Sequence, residues 1–445
     1  MFADHRKRLL DLLHKDKACC IVASGTLKAR NADCDYRFRP ASDFYYLTGF
    51  REPDSILVLL PESVERAVLF LRENDKHAEI WNGRRLGIER APDALGVDAA
   101  FSIDEFWDRL PELLVGHGRV IQRMGEEPER DRLLGDVLSE LRETSGKAGK
   151  TVPTSWSGPD ELLHEMRLFK SAGEVEEMRR ASRITHEAHI AAMREAAPGK
   201  NEGEIDALLE YTFRRRGGTG CSYSNIVAGG KNACILHYIE NDQPLRNGDL
   251  LLVDAGCEWN FYASDVTRTF PVSGSFSSEQ RAIYQLVLKS QKQAIDLVRP
   301  GNTYAQVHER SVEVLVQGLI ELGLLAGPLE NELEEGNYRR FYMHKTSHWL
   351  GLDVHDCGAY YRNEKPRVFE PGMVTTVEPG LYIGADDTTV ERKWRGIGVR
   401  IEDDILVTPE GHENLSAAIP KEIDDVEAAC RATPANELVE SPLAT

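Results

Sequence analysis

Four carboxylates and a histidine in the second half of the chain stand at the ends of strand-like runs. Asp254 closes the apolar run LLLV and Asp265 opens the alternating run DVTRTF, within NGDLLLVDAGCEWNFYASDVTRTFPV. The two runs read as the strands of a hairpin, with Glu258, Trp259 and Asn260 as its loop. A turn centred between Trp259 and Asn260 sets residue 254 opposite residue 265, β-carbons about 5 Å apart. Like charges at that distance repel by roughly 3 kcal/mol at an effective dielectric near 20. A solvated hairpin end, a protonated carboxyl or a cation bound between the two would each relieve it.

Farther along, His348 and His355 stand in SHWLGLDVHD, Glu378 in MVTTVEPGLYIG, Arg400 and Glu402 in GIGVRIEDDILV, and His237 in ACILHYIEN. Pro379 and Gly380 close a strand and leave Glu378 at its end. Two-residue spacing gives Arg400 and Glu402 a common face. Singly, each has an ordinary reading: a core histidine at 348, an ion pair between Arg400 and Glu402, a turn at Glu378, a surface strand end at His237. Together, four carboxylates and one imidazole form an oxygen-rich donor set for two divalent cations such as manganese, magnesium or zinc, without the thiolates of a structural zinc site. Ions about 3.5–4 Å apart need bridging carboxylates, and the opposed aspartates offer one.

The elements that must position these residues follow from length and pattern. A chain of 445 residues exceeds one ordinary domain. Residues 1–155 alternate helices with apolar strands such as SILVLLP and AVLFL, the pattern of an α/β domain with a buried sheet. Residues 156–173, in and beyond the Pro-, Ser- and Gly-bearing TVPTSWSGPDELL, read as a linker. A second domain spans 174–430, its opening helix running from Glu174 to Ala197 and stopping at Pro198-Gly199. Helix, Pro-Gly, helix, glycine recurs with Pro300, which predicts two related halves, each a helix pair packed on a sheet: an α+β domain. Residues 431–445 lack an apolar pattern and read as a disordered tail. With 73 Asp and Glu against 54 Lys and Arg, the net charge is −19, which argues against nucleic acid or an anionic membrane as partner. The eight cysteines form no C-x-x-C pair and read as reduced thiols. Without a signal-peptide h-region or an apolar run of about eighteen residues, a cytoplasmic location is expected.

Asp254, Asp265, His348, Glu378 and Glu402, carried by VDAG, SDVTRTF, SHWLGLDVHD, TVEPGLYI and VRIEDDILV, resemble the five-ligand dimetal site of the pita-bread metallopeptidases. RFRPASDFYYLTGFREPDSILVLLP, EIWNGRRLG and RLFKSAGEVEEMRRA resemble the N-terminal domain and the lead into the catalytic domain of the Xaa-Pro aminopeptidase (aminopeptidase P) family. That resemblance implies two manganese ions, one held by Asp265, His348, Glu378 and Glu402, the other by Asp254, Asp265 and Glu402. It also implies a bridging hydroxide that attacks the carbonyl before a proline at the second position, with Glu378 as general base and then acid. His237 and His355 would bind substrate and the oxyanion, Arg400 would orient Glu402, and His344 and Tyr382 would line the site. The substrate's amino group would lie near Asp254. Trp81 and Arg85 would help wall the cleft, of the same or a neighbouring subunit, and a homo-oligomer, dimer or tetramer, is implied. Lys345 departs from the small residue usual in relatives. Cys257 and Cys357 near the site imply modest sensitivity to thiol reagents. The alternatives are prolidase, with the same fold and ligands but restricted to dipeptides, and a non-catalytic scaffold, which would usually have lost ligands. Methionine aminopeptidase is disfavoured by the long N-terminal domain, and metal-free, creatinase-like hydrolysis by the intact ligand set.

Overall fold

The computed structural model describes residues 1–432; the remainder of the expected tail, 433–445, lies outside the described residues. The chain divides into two units at Arg167/Leu168, inside the stretch read as a linker. That stretch is structured: Ser155–Ser157 is the edge strand beside Arg119–Ile121, and Glu165–Leu168 is helical. No helix among the described residues is long and apolar enough to cross a membrane.

The first unit opens with the amphipathic helix Phe2–Lys15, which buries Leu9, Leu10 and Leu13. Its sheet has six strands, in the order Ala99–Ser102, Ala67–Leu71, Ile56–Leu59, Ala18–Ala23, Arg119–Ile121 and Ser155–Ser157. Every residue of Ile56–Leu59 and Ala67–Leu71 is buried. A sheet covered on both faces demands unbroken apolar runs, which is why these segments do not alternate.

The second unit is built twice over. Its first half pairs α1 (Ala172–Glu195) with α2 (Glu202–Arg215) beside β1 (Ile226–Gly229), β2 (Leu250–Asp254), β3 (Cys257–Trp259), β4 (Tyr262–Ala263) and β5 (Thr267–Pro271). Its second half pairs α3 (Ser278–Ile295) with α4 (Tyr304–Glu321) beside β6 (Val374–Val377), β7 (Gly380–Ile383), β8 (Ile397–Arg400) and β9 (Asp403–Thr408). The expected repeat is present in backbone detail. Gly199 and Gly301, each after its proline, share φ +92°. Asn201 and Thr303 each cap the second helix of their pair in a capping box. They also make equivalent antiparallel bridges, to Pro244 and Val368. Both helix pairs bury their inner faces in one core, with Ile184, Leu209 and Phe213 from the first and Ile283, Val287 and Leu315 from the second. Each such side chain contributes about 1.5–3 kcal/mol of burial. The opening helix starts earlier than the expected Glu174, because Ser171 caps it and exchanges hydrogen bonds with Glu174.

The hairpin carrying the aspartates has a different register from the expected one. Asp254 pairs with Thr267, not Asp265, and Trp259 pairs with Tyr262. The turn therefore centres between Asn260 and Phe261, both at positive φ (47° and 66°) as a two-residue type I′ connection requires. Glu258 and Trp259, expected in the loop, are strand residues: Glu258 is buried and accepts from the Thr219 hydroxyl at 2.6 Å, while Arg180 stacks 5.1 Å over the Trp259 ring. The two chains pinch together at Gly256, where a β-carbon would lie 1.7 Å from the Ser264 carbonyl oxygen.

Candidate active site

Each acidic side chain sits at or just beyond a strand end. Asp254 ends β2, Asp265 precedes β5, Glu378 follows β6, and Glu402 lies between β8 and β9. His348 belongs to an irregular segment laid against β6. Its carbonyl accepts from the Thr376 amide at 2.9 Å and from the Thr375 hydroxyl at 2.8 Å, and the Glu378 amide donates to the Thr346 carbonyl at 2.8 Å. The paired threonines thus serve to dock the histidine beside Glu378.

The five side chains converge. One oxygen or nitrogen atom each of Asp265, His348 and Glu402 lies within 4.8 Å of the others. His348 Nε2 stands 3.3 Å from Asp265 and 3.5 Å from Glu378. Because His348 Nδ1 faces the Trp349 carbonyl at 3.0 Å, Nδ1 carries a proton; Nε2 faces the carboxylates, donating to them when protonated and turning its lone pair toward them only for a cation held in between. Tyr223 Oη lies 2.5 Å from a carboxylate oxygen of both Asp254 and Asp265. Asp254 also accepts from Arg400 at 2.6 Å, and Glu402 from the Thr267 hydroxyl at 2.7 Å.

Crowding these groups has electrostatic consequences. Burial, then the charges of Asp265, Glu378 and Asp254, push Glu402 well above the carboxylate range. Burial lifts Glu378 to about 7 against the opposing effect of His348 and Arg400. Asp254 is raised, chiefly by burial, although Arg400 works the other way. Burial would raise Asp265 too, but its hydrogen bond and charge contact with His348 hold it down. His348 is disfavoured as a cation by burial, yet Asp265 and Glu378 carry it up to about 9. Four carboxylates in one pocket cannot all be ionised unless positive charge neutralises them. An oxygen-rich set with one correctly oriented imidazole suits hard or borderline divalent ions, which would displace the competing protons, so the residues fit a metal centre.

A second chain of contacts leads to the site wall. Arg400 donates to Tyr382 Oη at 3.0 Å, and Tyr382 lies 2.9 Å from His344 Nε2. His344 Nδ1 faces the Lys345 carbonyl, so Tyr382 must donate to Nε2, and burial with Arg400 nearby keeps His344 neutral, its pKa lowered to about 3. Arg400 was expected to orient Glu402; it grips Asp254 directly and reaches Glu402 through the Thr267 hydroxyl, to which it donates at 3.1 Å.

His237, His344, His355 and Lys345 line, with the five carboxylate and imidazole groups, a cavity of about 1000 Å³. His355 packs on His348, ring centroids 4.2 Å apart. Burial and then His348 lower its pKa. Trp81 and Arg85 lie in the first unit, Trp81 on the helix Lys76–Asn82 with 76% of its surface exposed. Cys257 is fully buried with its thiol pushed up by desolvation, so the expected thiol sensitivity falls to the half-buried Cys357. Tyr223 and Thr267 went unread in the sequence, since neither a tyrosine in CSYSNI nor a threonine in DVTRTF has a spacing that marks it.

Two pseudo-symmetric helix-and-strand halves enclosing buried carboxylates and a metal-ready imidazole define a metallohydrolase. Residues 176–409 match metallopeptidase family M24, and residues 2–121 match the aminopeptidase P N-terminal domain. The chain is 47% identical over 427 residues to an Xaa-Pro aminopeptidase of Haemophilus influenzae, covering 96% of each. It is similar to the structure of Pseudomonas aeruginosa aminopeptidase PepP, with a TM-score of 0.93, 45% identity and coverage of 96% of this chain and 97% of that one. It is also similar to zinc-substituted Escherichia coli aminopeptidase P in complex with product, with a TM-score of 0.92, 43% identity and coverage of 96% and 97%. The chain belongs to metallopeptidase family M24, in the branch that carries the aminopeptidase P N-terminal domain.

Proposed function

We infer that the chain is an Xaa-Pro aminopeptidase, hydrolysing the bond between an N-terminal residue and a following proline. The observation that carries this reading is the convergence of Asp265, His348 and Glu402 with Asp254 and Glu378 on one wall of a substrate-sized cavity, in a chain nearly half identical to an enzyme of that name. Asp254, Asp265, His348, Glu378 and Glu402 would hold two divalent ions, with manganese the best match to so oxygen-rich a set. Such ions supply water activation at neutral pH and neutralise charge building on the scissile carbonyl.

The side chains account for the rest. Glu378, beside His348 and at the end of its strand on the cavity wall, would take a proton from water and return it to the leaving proline nitrogen. His237 and His355, on the cavity wall, would donate to the substrate carbonyl as negative charge develops. Asp254, braced by Arg400 and Tyr223, offers its acidic environment to the substrate's free amino group, which favours removal of one residue at a time. Ile226, Leu236 and Val354 supply apolar surface on the cavity wall for the proline ring. The same reading extends to a cytoplasmic homo-oligomer in which the exposed Trp81, with Arg85, walls a cleft.

The test is to incubate the manganese-loaded protein with Gly-Pro and with Arg-Pro-Pro and assay the first amino acid released. Release from the tripeptide is expected. Cleavage of the dipeptide alone would make the protein a prolidase, and cleavage of neither would overturn both readings.

A further inference from the structure

Glu202, the first residue of α2, is completely buried and takes no part in lining the cavity. Its Oε1 accepts from the Gly229 amide at 2.7 Å and the Asn232 side-chain amide at 3.0 Å. Its Oε2 accepts from the Tyr238 hydroxyl at 2.8 Å and the Gln243 amide at 2.9 Å. All four donors come from one stretch of chain, 229–243, and they fill the accepting capacity of the carboxylate. A buried carboxylate is tolerated only when satisfied in this way, and hydrogen bonds to it are stronger than neutral ones. The stretch is tied again at its far end, where Asn241 accepts from the Val227 amide and donates to the Asn225 carbonyl, each at 2.9 Å.

This stretch delivers Leu236, His237 and Ile239 to the cavity. Ile235 and Ile239 are more than half exposed, and His237 is exposed as well. Among the described residues the His237 ring has no hydrogen-bond partner, unlike His344 and His348, whose rings are oriented by carbonyls. An imidazole without an anchor of its own is only as well placed as the backbone that carries it.

We propose that Glu202 is a positioning residue for the reaction: from behind the cavity its carboxylate gathers the loop 229–243 and so sets the place of His237. The proposal rests on the reading that His237 meets the substrate. Glu202→Gln keeps the shape of the side chain but replaces one accepting oxygen with an NH2 group that cannot accept. On Arg-Pro-Pro, kcat/KM is expected to fall on the order of 10- to 100-fold, as for a misplacement of about 1 Å, with manganese content at the wild-type level. In a His237→Ala background the same substitution is expected to cost no more than about twofold, since there is no longer an imidazole to misplace. If Glu202→Gln does not fold, Tyr238→Phe, which removes one donor and leaves three, is expected to show a smaller loss with the same dependence on His237. A folded variant as active as wild type, or a loss repeated in full in the His237→Ala background, overturns the proposal. His237→Ala with wild-type kcat/KM removes that histidine from the site and the proposal with it. Wild-type protein that releases nothing from Arg-Pro-Pro instead fails the functional reading itself.

Discussion

Asp254, Asp265, Glu378 and Glu402 share a pocket whose positive groups are Arg400, committed to Asp254 and Tyr382, and the imidazolium of His348, held by Asp265 and Glu378. Four carboxyls crowded around two positive groups hold on to protons, which a divalent cation would displace. Lys345, exposed on the cavity wall, is too solvated to neutralise the carboxyls and is better placed to meet charge on a peptide. Acidic residues at strand ends could be read directly from the sequence because their type and position are unusual. Tyr223 and Thr267 could not, because hydroxyl side chains occur in strands and turns for many reasons. His189 illustrates a different cost of burial. Its Nε2–H donates to the Ala255 carbonyl at 3.1 Å, while Nδ1 is buried without a partner among the described residues. Desolvation lowers its pKa to about 3, with Arg268 and His186 adding to the effect. In the unfolded chain an ordinary histidine takes up a proton near 6.5, so between pH 6.5 and 3 the unfolded state binds a proton that the folded state refuses. Stability from this residue is complete above pH 6.5 and is lost as pH falls, at about 1.4 kcal/mol per unit. From pH 7 to 5 the loss is about 2 kcal/mol. Urea unfolding at the two pH values should show it in the wild type, and His189→Gln, which keeps a donor to Ala255 but cannot titrate, should show a pH dependence shallower by that amount.

At the level of elements, the hairpin shows which part of a strand assignment pattern can supply. The apolar and alternating runs identified both strands, but register depends on the turn, and a Phe261 at φ +66° has no composition signature. The aspartates still meet, although they are not opposed across a ladder, because Gly256 lets the Ser264 backbone approach and the Tyr223 hydroxyl spans the two carboxylates. Gly256 should therefore be intolerant of even one methyl group. An alanine β-carbon there would sit 1.7 Å from the Ser264 carbonyl oxygen and 2.5 Å from its carbon, backbone atoms that no rotamer change can move. Gly256→Ala should cost about 1–3 kcal/mol of stability. By spreading Asp254 from Asp265 it should also lower kcat/KM on Arg-Pro-Pro about 100-fold and reduce manganese content. Gly384→Ala, in open space just after β7, is the control and should do neither. A Gly256→Ala enzyme matching that control would show that the pinch is not what brings the carboxylates together. The helix pairs were easier to read, since the Pro-Gly break is a local signal that fixes an element's end; the structure adds the caps at residues 201 and 303 that start the next helix.

For the whole molecule, chain length and the change of pattern near residue 155 suggest two units, and the contacts of the structure divide the chain into two, each with buried clusters of its own. Their boundary was harder to place, because the Pro-, Ser- and Gly-containing stretch that looks like a connector contributes an edge strand to the first sheet before the chain passes to Leu168. All five proposed metal ligands belong to the second unit. A ligand that binds only the folded state stabilises whatever unfolds with its site, by about 2.7 kcal/mol when present at about 100 times its dissociation constant. For a unit of this size each kcal/mol is worth roughly 2–4 °C. Removing metal with a chelator should thus lower the unfolding midpoint of the second unit by about 5–10 °C, and manganese should restore it. Hydrogen exchange can assign the change: peptides covering 250–270 and 374–402 should lose protection on chelation, while those from the first unit's sheet, which has its own core, should not. Asp254→Ala should abolish most of the manganese response while leaving the chelated protein's midpoint close to that of chelated wild type. A response that survives this substitution undiminished, or that maps to the first unit, would mean that the ions stabilising the molecule are bound somewhere other than at these carboxylates.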